Sequence, residues 1–229
     1  MRHRKITYTI LLIVVTGIGL AACAGEPEVD TSLPPVQEPL PLLQQPTVPV
    51  SVELYTPGIN FPTRMVWAPD GRLFVTEKGG AVRVISADGV LQPEPVIELP
   101  TNEEGEQGLL GIALDPNYEE NHYIWVYHTW SDPNNERERP WHRVVRFVEQ
   151  DGVGSDPRVA WEMEDAFPES TILNGGDVKF GPDGMLYVPV GAPCNVCDEP
   201  GFGELPRMNP EGSGMETYAF GLRNSVGVS

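Results

Sequence analysis

The stretch from Asn174 to Cys197 reads NGGDVKFGPDGMLYVPVGAPCNVC, and it contains the pattern that decides the fold. Two short alternating apolar runs, at residues 178–180 and 185–190, flank the sequence GPDG at residues 181–184. Proline sets φ for a turn, aspartate can bond its own backbone, and glycine tolerates positive φ. The stretch therefore predicts a β-hairpin that turns at residues 181–184.

The same pattern occurs elsewhere in the chain. Residues 65–75 read MVWAPDGRLFV, and a looser copy joins GIALDP at residues 111–116 to YIWVY at residues 123–127. Small sets of strands that recur every ~40–50 residues are typical of a β-propeller. We predict an all-β fold and a β-propeller, with a β-sandwich of similar strand count as the alternative. Residues 51–229 have room for about four blades of ~45 residues each.

The composition fits a turn-rich, acidic β protein. The chain of 229 residues contains 24 glycines and 24 prolines and has a formal net charge of −18. A surface with such an excess of carboxylates repels the phosphates of nucleic acids. The charge therefore argues against nucleic-acid binding.

Residues 1–22 have the pattern of an export signal. Three basic side chains among the first five residues precede an apolar run at residues 10–20, which is too short to span a bilayer comfortably. The run ends in LAAC at residues 20–23, which resembles the lipobox of bacterial lipoproteins and implies lipidation of Cys23. An ordinary signal peptide or a short membrane anchor is the alternative. The lipoprotein interpretation predicts an exported protein, lipid-anchored on the periplasmic side of the cell envelope.

Residues 23–50 are predicted to be a linker. Seven prolines lie between positions 27 and 49, and they favour an extended chain without a packed core. The folded domain is expected at residues 51–229. Because an open propeller leaves unpaired strand edges, we interpret this domain as part of a longer propeller.

Four segments, taken together and in order, carry a resemblance to a known family. They are FPTR at 61–64, GLLGIALDP at 108–116, FGPDGMLYV at 180–188 and GLRN at 221–224. They resemble the PQQ-dependent soluble aldose dehydrogenases, which include soluble quinoprotein glucose dehydrogenase and a sorbosone dehydrogenase-like branch. The resemblance implies a six-bladed propeller and pyrroloquinoline quinone (PQQ) held with Ca²⁺. It also implies oxidation of an aldose sugar at its anomeric carbon and an external electron acceptor.

The resemblance also implies cofactor-binding residues. Arg223 and Asn224 match the Arg-Asn pair that holds the cofactor in the family, and a guanidinium suits carboxylate and quinone oxygens. A surface ion pair is the alternative for Arg223. Glu106 and Gln107 fall where the family places a polar side chain near cofactor and sugar, although a solvated acidic loop is equally compatible with these residues.

The general base is the point at which the chain departs from the family. The family has a histidine immediately before the segment that matches Asn174, and here that position is Leu173, which cannot accept a proton. A positioned general base contributes typically ~10²–10⁴ in rate. No other residue is an evident replacement: we expect His128 to pack in a strand and His142 to be exposed. The catalytic residue is therefore left unassigned.

Cys194 and Cys197 form a Cys-x-x-Cys loop similar to that of the sorbosone dehydrogenase-like branch. A disulfide is the expectation for an exported protein, and a thiol-redox motif is the alternative. The resemblance places the Ca²⁺ ligands beyond Ser229.

Two functions from different classes follow. The first is a PQQ-dependent sugar dehydrogenase of the cell envelope. The second is a non-catalytic propeller that binds a sugar or a protein, and it is motivated by Leu173.

Overall fold

Twelve strands and one short helix make up the part of the chain that the computed structural model describes, which is residues 51–134, 141–164, 171–192 and 201–229. The strands form three antiparallel sheets of four strands each, and we call these sheets blades 1, 2 and 3. Cys23, Cys194 and Cys197 lie outside the described residues, so the predicted lipidation and disulfide stay predictions.

Blade 1 contains β1 (Pro62–Trp67), β2 (Leu73–Glu77), β3 (Ala81–Ile85) and β4 (Ile97–Glu98). β1 and β2 are joined by the first Ala-Pro-Asp-Gly turn, in which Gly71 donates its N–H to the carbonyl of Ala68 at 3.0 Å. The hairpin predicted from residues 65–75 is confirmed.

Blade 2 contains β5 (Leu109–Leu114), β6 (Tyr123–Trp130), β7 (Trp141–Gln150) and β8 (Val153–Glu164). The looser copy of the repeat is again an antiparallel pair, since β5 pairs with β6. Their connection includes the single helical turn α1 (Tyr118–Asn121).

Blade 3 contains β9 (Lys179–Phe180), β10 (Leu186–Tyr187), β11 (Leu205–Met208) and β12 (Glu216–Ala219). The Gly-Pro-Asp-Gly turn joins β9 to β10, and Gly181 donates its N–H to the carbonyl of Met185 at 2.9 Å. The hairpin that decided the fold class is therefore present.

We expected room for about four blades, and the described residues form three four-stranded sheets. The estimate assumed blades of equal length, and blade 2 is longer than that. Its strands β7 and β8 contain 10 and 12 residues.

Each pair of neighbouring blades encloses its own hydrophobic core. Strand β6 supplies both cores, because successive side chains of a strand point to opposite faces. Ile124 and Val126 pack with Phe74 of blade 1, whereas Trp125 and Tyr127 pack between blades 2 and 3. The side chains of these four β6 residues are at most 1% exposed, so blade 2 is covered on both faces.

The first strands of the three blades are neighbours in space. β5 contacts both β1 and β9. Thr63 of β1 donates its hydroxyl hydrogen to the carbonyl of Leu109 in β5, at 2.5 Å. The three blades are therefore arranged around a common inner edge.

Within the described residues, no helix has the length and apolar character needed to span a membrane.

Candidate functional site

The directions of strands β5 and β6 show at which end of blade 2 Glu106 and Gln107 lie. Leu109 at the start of β5 lies opposite His128 near the end of β6, and Leu114 lies opposite Ile124. The start of β5 and the end of β6 therefore share one end of the blade, which we call the upper end. Glu106 and Gln107, which precede β5, lie at this upper end.

Glu106 contacts the segment that contains the expected base position. The N–H of Glu106 donates to the carbonyl of Thr171 at 2.6 Å. Its carboxylate Oε2 accepts a hydrogen bond from the N–H of Leu173 at 2.7 Å. The Glu106 carboxylate thus holds the backbone at the position where the family has histidine.

Asn224 contacts the same segment from blade 3. Its Oδ1 accepts a hydrogen bond from the N–H of Gly175 at 2.8 Å. The preceding residue, Arg223, has an exposed side chain, and its carbonyl accepts a hydrogen bond from Ala192 at 2.7 Å. Glu106 and Asn224 therefore both contact the segment 173–175, and Arg223 directly precedes Asn224 in the chain.

Leu173 has an unusual backbone conformation. Its φ is 64°, in the left-handed region that costs a residue with a side chain roughly 1–2 kcal/mol. Its side chain is 5% exposed, so it packs inside the protein. Such strained positions cluster at ligand sites, where the surrounding contacts hold them. Here those contacts come from Glu106 on one side and from Asn224, through Gly175, on the other.

Gln107 is buried, with 2% of its side-chain surface exposed, so it is not part of a solvated acidic loop. Glu106 itself is exposed. The two adjacent residues therefore differ, since Gln107 faces the interior at the upper end while Glu106 reaches across to Leu173.

Two further residues at the upper end were missed in the sequence. Lys78, which follows β2, donates from Nζ to the carbonyl of Gly105 at 2.7 Å. Tyr127 donates its hydroxyl hydrogen to the carbonyl of Asn174 at 2.9 Å. Lys78 belongs to no recognisable motif. Tyr127 lies in the repeat at residues 123–127, and its strand register could have indicated the direction of its side chain.

His128 and His142 are both buried and do not replace the missing base. His128 is 1% exposed and shares a hydrogen bond of 3.1 Å with Thr101, and burial, with Arg143 and His142 nearby, lowers its pKa to about 3. His142 was expected to be exposed, and this expectation was wrong. It lies in β7, is 1% exposed, and stacks on Tyr127. Burial lowers the pKa of His142 to about 4.

Asp177 is also committed to structural contacts. One carboxylate oxygen, Oδ1, lies 3.5 Å from Nε of Arg64 and accepts the N–H of Val178 at 3.0 Å. The other, Oδ2, accepts the N–H of Val228 at 2.9 Å. Asp177 thus joins the first strand of blade 1 to the segment after blade 3.

Metal binding has no residue cluster to support it in the described ranges. No group of three or more histidine, cysteine, aspartate or glutamate side chains there could hold a metal ion. The expected Ca²⁺ therefore stays a prediction from the resemblance.

Comparison with known proteins supplies the family. The sequence profile of the glucose/sorbosone dehydrogenases matches residues 59–229. The chain belongs to the glucose/sorbosone dehydrogenase family. The predicted fold class is confirmed, because the chain is nearly all-β and its structural relatives are propeller proteins.

The chain is similar to three proteins whose names state a function or a partner. The PQQ-bound aldose sugar dehydrogenase of Streptomyces coelicolor matches with a TM-score of 0.63 and 27% identity, over 76% of this chain and 54% of that protein. Quinoprotein glucose dehydrogenase B of Acinetobacter calcoaceticus is 26% identical over 58% of this chain and 29% of its own length. Mouse Hedgehog-interacting protein is 33% identical over 58% of this chain and 21% of its own length.

The chain spans only part of each relative, at most 54% of the three lengths.

Proposed function

We propose that this chain takes part in the PQQ-dependent oxidation of an aldose at its anomeric carbon, with an external electron acceptor. One observation carries the proposal. Glu106 and Asn224, which are far apart in sequence, both bind the segment 173–175 at the upper end, because Glu106 accepts the N–H of Leu173 and Asn224 accepts the N–H of Gly175. This is the arrangement expected if residues before β5, before β9 and after β12 share one ligand.

The donors at the upper end suit the cofactor. PQQ is a planar tricarboxylate quinone, so its site requires hydrogen-bond donors and cations. Asn224 uses its Oδ1 for Gly175, so its amide N–H₂ is the end available to a ligand. Arg223 supplies a guanidinium with an exposed side chain, which can donate two parallel hydrogen bonds to a carboxylate. Lys78 adds a third positively charged or donating group at this end.

The division of roles follows from these contacts. When bound, PQQ would accept the hydride from the anomeric carbon of the sugar. Arg223 and Asn224 would orient the cofactor, and Glu106 would fix the segment 173–175 against it. The hydroxyl proton of the sugar requires a base, and the aliphatic side chain of Leu173 does not fit that role.

Cofactor uptake tests the proposal directly. PQQ is titrated with Ca²⁺ into the whole chain, and bound PQQ is measured by equilibrium dialysis. We expect uptake, weakened at least about tenfold by Arg223→Gln because charge-assisted bidentate bonds are strong. Arg207→Gln is the control, since Arg207 pairs with the carboxylates of Asp183 and Glu216. An absence of uptake in the unchanged protein would overturn the proposal.

Turnover is tested separately, by dye reduction with a panel of aldoses. If the cofactor binds and only the base is missing, Leu173→His should raise the rate by roughly 10²–10⁴. Equal turnover in both proteins would mean that another group takes the proton.

A non-catalytic binding function is the second candidate. It is favoured by Leu173 at the base position and by the likeness to Hedgehog-interacting protein, whose name describes a protein interaction. This candidate would gain support if PQQ failed to bind, or bound without turnover in both proteins.

A further inference from the structure

A groove between blades 2 and 3 lies at their lower end, opposite the candidate site. Two adjoining cavities of about 320 and 260 Å³ share the lining residues Trp125, Arg146, Pro210 and Glu211. Gly184 of the β9–β10 turn and Tyr123 at the start of β6 also line the larger cavity. Both mark the lower end, because β6 starts where β5 ends.

Arg146 is held rigidly in this groove by aromatic rings. Its guanidinium carbon lies 4.0 Å from the ring centre of Tyr123 and 5.8 Å from that of Trp125. A guanidinium stacked on aromatic faces loses little further freedom when it binds a ligand. The side chain is therefore preorganised at the wall of both cavities.

Arg146 has no carboxylate partner among the residues that the structure describes. This is unexpected in a chain with 33 acidic and 15 basic residues. Other arginines with an ion pair to a carboxylate in the described ranges are Arg64, Arg72, Arg83, Arg143, Arg158 and Arg207. Arg146 differs from these six arginines, because no carboxylate of the described residues pairs with it.

A second arginine lies directly opposite Arg146. Strands β7 and β8 pair Arg146 with Arg158 in register. Like charges directly opposite each other destabilise a sheet. Arg158 is partly compensated by Asp156, whose Oδ2 lies 2.9 Å from its Nε. Arg158 also lines the smaller cavity, so both positive charges border the same space.

Neither of the two acidic side chains that line the groove, Asp115 and Glu211, forms an ion pair with Arg146. Oδ1 of Asp115 accepts hydrogen bonds from the N–H of Asn117 at 3.0 Å and Nδ2 of Asn121 at 2.8 Å. Its Oδ2 accepts the indole N–H of Trp125 at 3.0 Å. Glu211 is exposed and lines both cavities, but it forms no ion pair with Arg146.

We propose that this groove binds a small organic carboxylate of monosaccharide size, whose carboxylate pairs with Arg146. The two cavities together reach the size usual for small-molecule sites. The guanidinium would donate a bidentate pair of hydrogen bonds, while Pro210 and the ring of Tyr123 border the body of the ligand. This site is separate from the upper end and does not depend on the proposed oxidation.

Glucuronate and glucose are matched probes, because they share a pyranose ring and differ by a carboxylate. Each is titrated into the whole chain by calorimetry at low ionic strength, in the absence of PQQ. We expect glucuronate to bind and glucose to bind at least about tenfold more weakly, because only the carboxylate makes the charge-assisted pair. Arg146→Gln should abolish the difference between the two sugars, and Arg146→Lys should retain part of it.

Arg143→Gln is the control variant. Arg143 lies on the same strand and stacks on Trp130 at 3.5 Å, but it is paired with Glu162. We expect it to leave glucuronate binding unchanged. Circular dichroism checks that each variant is folded. The proposal is overturned if glucuronate does not bind, if inorganic phosphate competes equally well, or if Arg143→Gln weakens binding as much as Arg146→Gln.

Discussion

At the scale of single residues, the candidate site depends on close backbone contacts around Leu173. The carbonyl of Leu173 lies so near Gly191 that a Cβ on Gly191 would come within 1.5 Å of it. The same Cβ would lie 2.9 Å from the N of Gly175. Glycine at position 191 is therefore needed to keep the segment 173–175 in place.

Gly191→Ala should displace this segment, since the clashing atoms belong to the backbone and cannot rotate away. We expect a loss of about 3 kcal/mol in the free energy of unfolding, measured with urea. Gly184→Ala is the control, because a Cβ there meets nothing within 4 Å. It should cost about 1 kcal/mol, owing to the positive φ of Gly184. Equal losses in both variants would contradict the close contact.

Two buried histidines should make stability depend on pH. Burial lowers the pKa of His128 to about 3 and of His142 to about 4, from an ordinary value of 6.5. Between about pH 6.5 and pH 4, the unfolded chain binds protons that the folded chain does not bind. The free energy of unfolding should therefore fall with falling pH, by up to about 1.4 kcal/mol per pH unit for each histidine.

Urea unfolding at pH 7, 6 and 5 measures this slope. The variant His142→Phe should reduce it, because a side chain that stacks on Tyr127 remains but the titrating group is removed. His122→Asn is the control, since His122 is exposed and asparagine tolerates its left-handed conformation, φ 56°. A slope that is the same in all three proteins would contradict the assignment of the buried groups.

At the scale of elements, blades 1 and 2 are joined by an ion pair at their lower end. Glu149 of β7 is fully buried, and its two oxygens accept Nη1 and Nη2 of Arg72 at 2.7 and 3.0 Å. The hydroxyl of Tyr118 and the N–H of Gly152 also donate to this carboxylate. Burial alone would raise the pKa of Glu149, but the hydrogen bonds from Arg72, Tyr118 and Gly152 lower it overall.

Glu149→Gln would remove the buried charge partner of Arg72 and leave only the exposed Asp70, whose Oδ2 lies 2.8 Å from Nε of Arg72. We expect a loss of about 3 kcal/mol or more in the free energy of unfolding at pH 7. Glu162→Gln is the matched control, because the Glu162–Arg143 pair lies nearer the surface and should be worth less than about 1 kcal/mol. The ion pair would be unimportant for joining the blades if the two variants unfolded alike.

At the scale of the whole molecule, the three blades differ in how well they are covered. Blade 2 is packed on both faces, by one core against blade 1 and another against blade 3. Its strands β6 and β7 are 8 and 10 residues long, whereas β9 and β10 contain 2 residues each. Local opening should therefore cost most in the middle of blade 2.

Hydrogen exchange followed by mass spectrometry measures this difference. We expect the slowest exchange in peptides from β6 and β7, and faster exchange in peptides from β9 to β12. Uniform protection across the three blades would contradict this order.

Local sequence signals were sufficient for the all-β class and the three hairpins. Turn chemistry and alternation act over a few residues, so they can be read without knowing the rest of the fold. The burial of His142 and the three-blade arrangement could not be read in this way. They depend on strand length and on which faces meet, and these are set by packing between blades.

The candidate site shows the same division. Arg223, Asn224, Glu106 and position 173 were candidates from the resemblance, and their roles stay predictions. The contacts of Glu106 and Asn224 with the segment 173–175 could not be predicted, because these hydrogen bonds link positions 67 and 49 residues apart. Such contacts form only when separate blades pack against each other. The same packing places Arg146 at a groove that no sequence motif predicted.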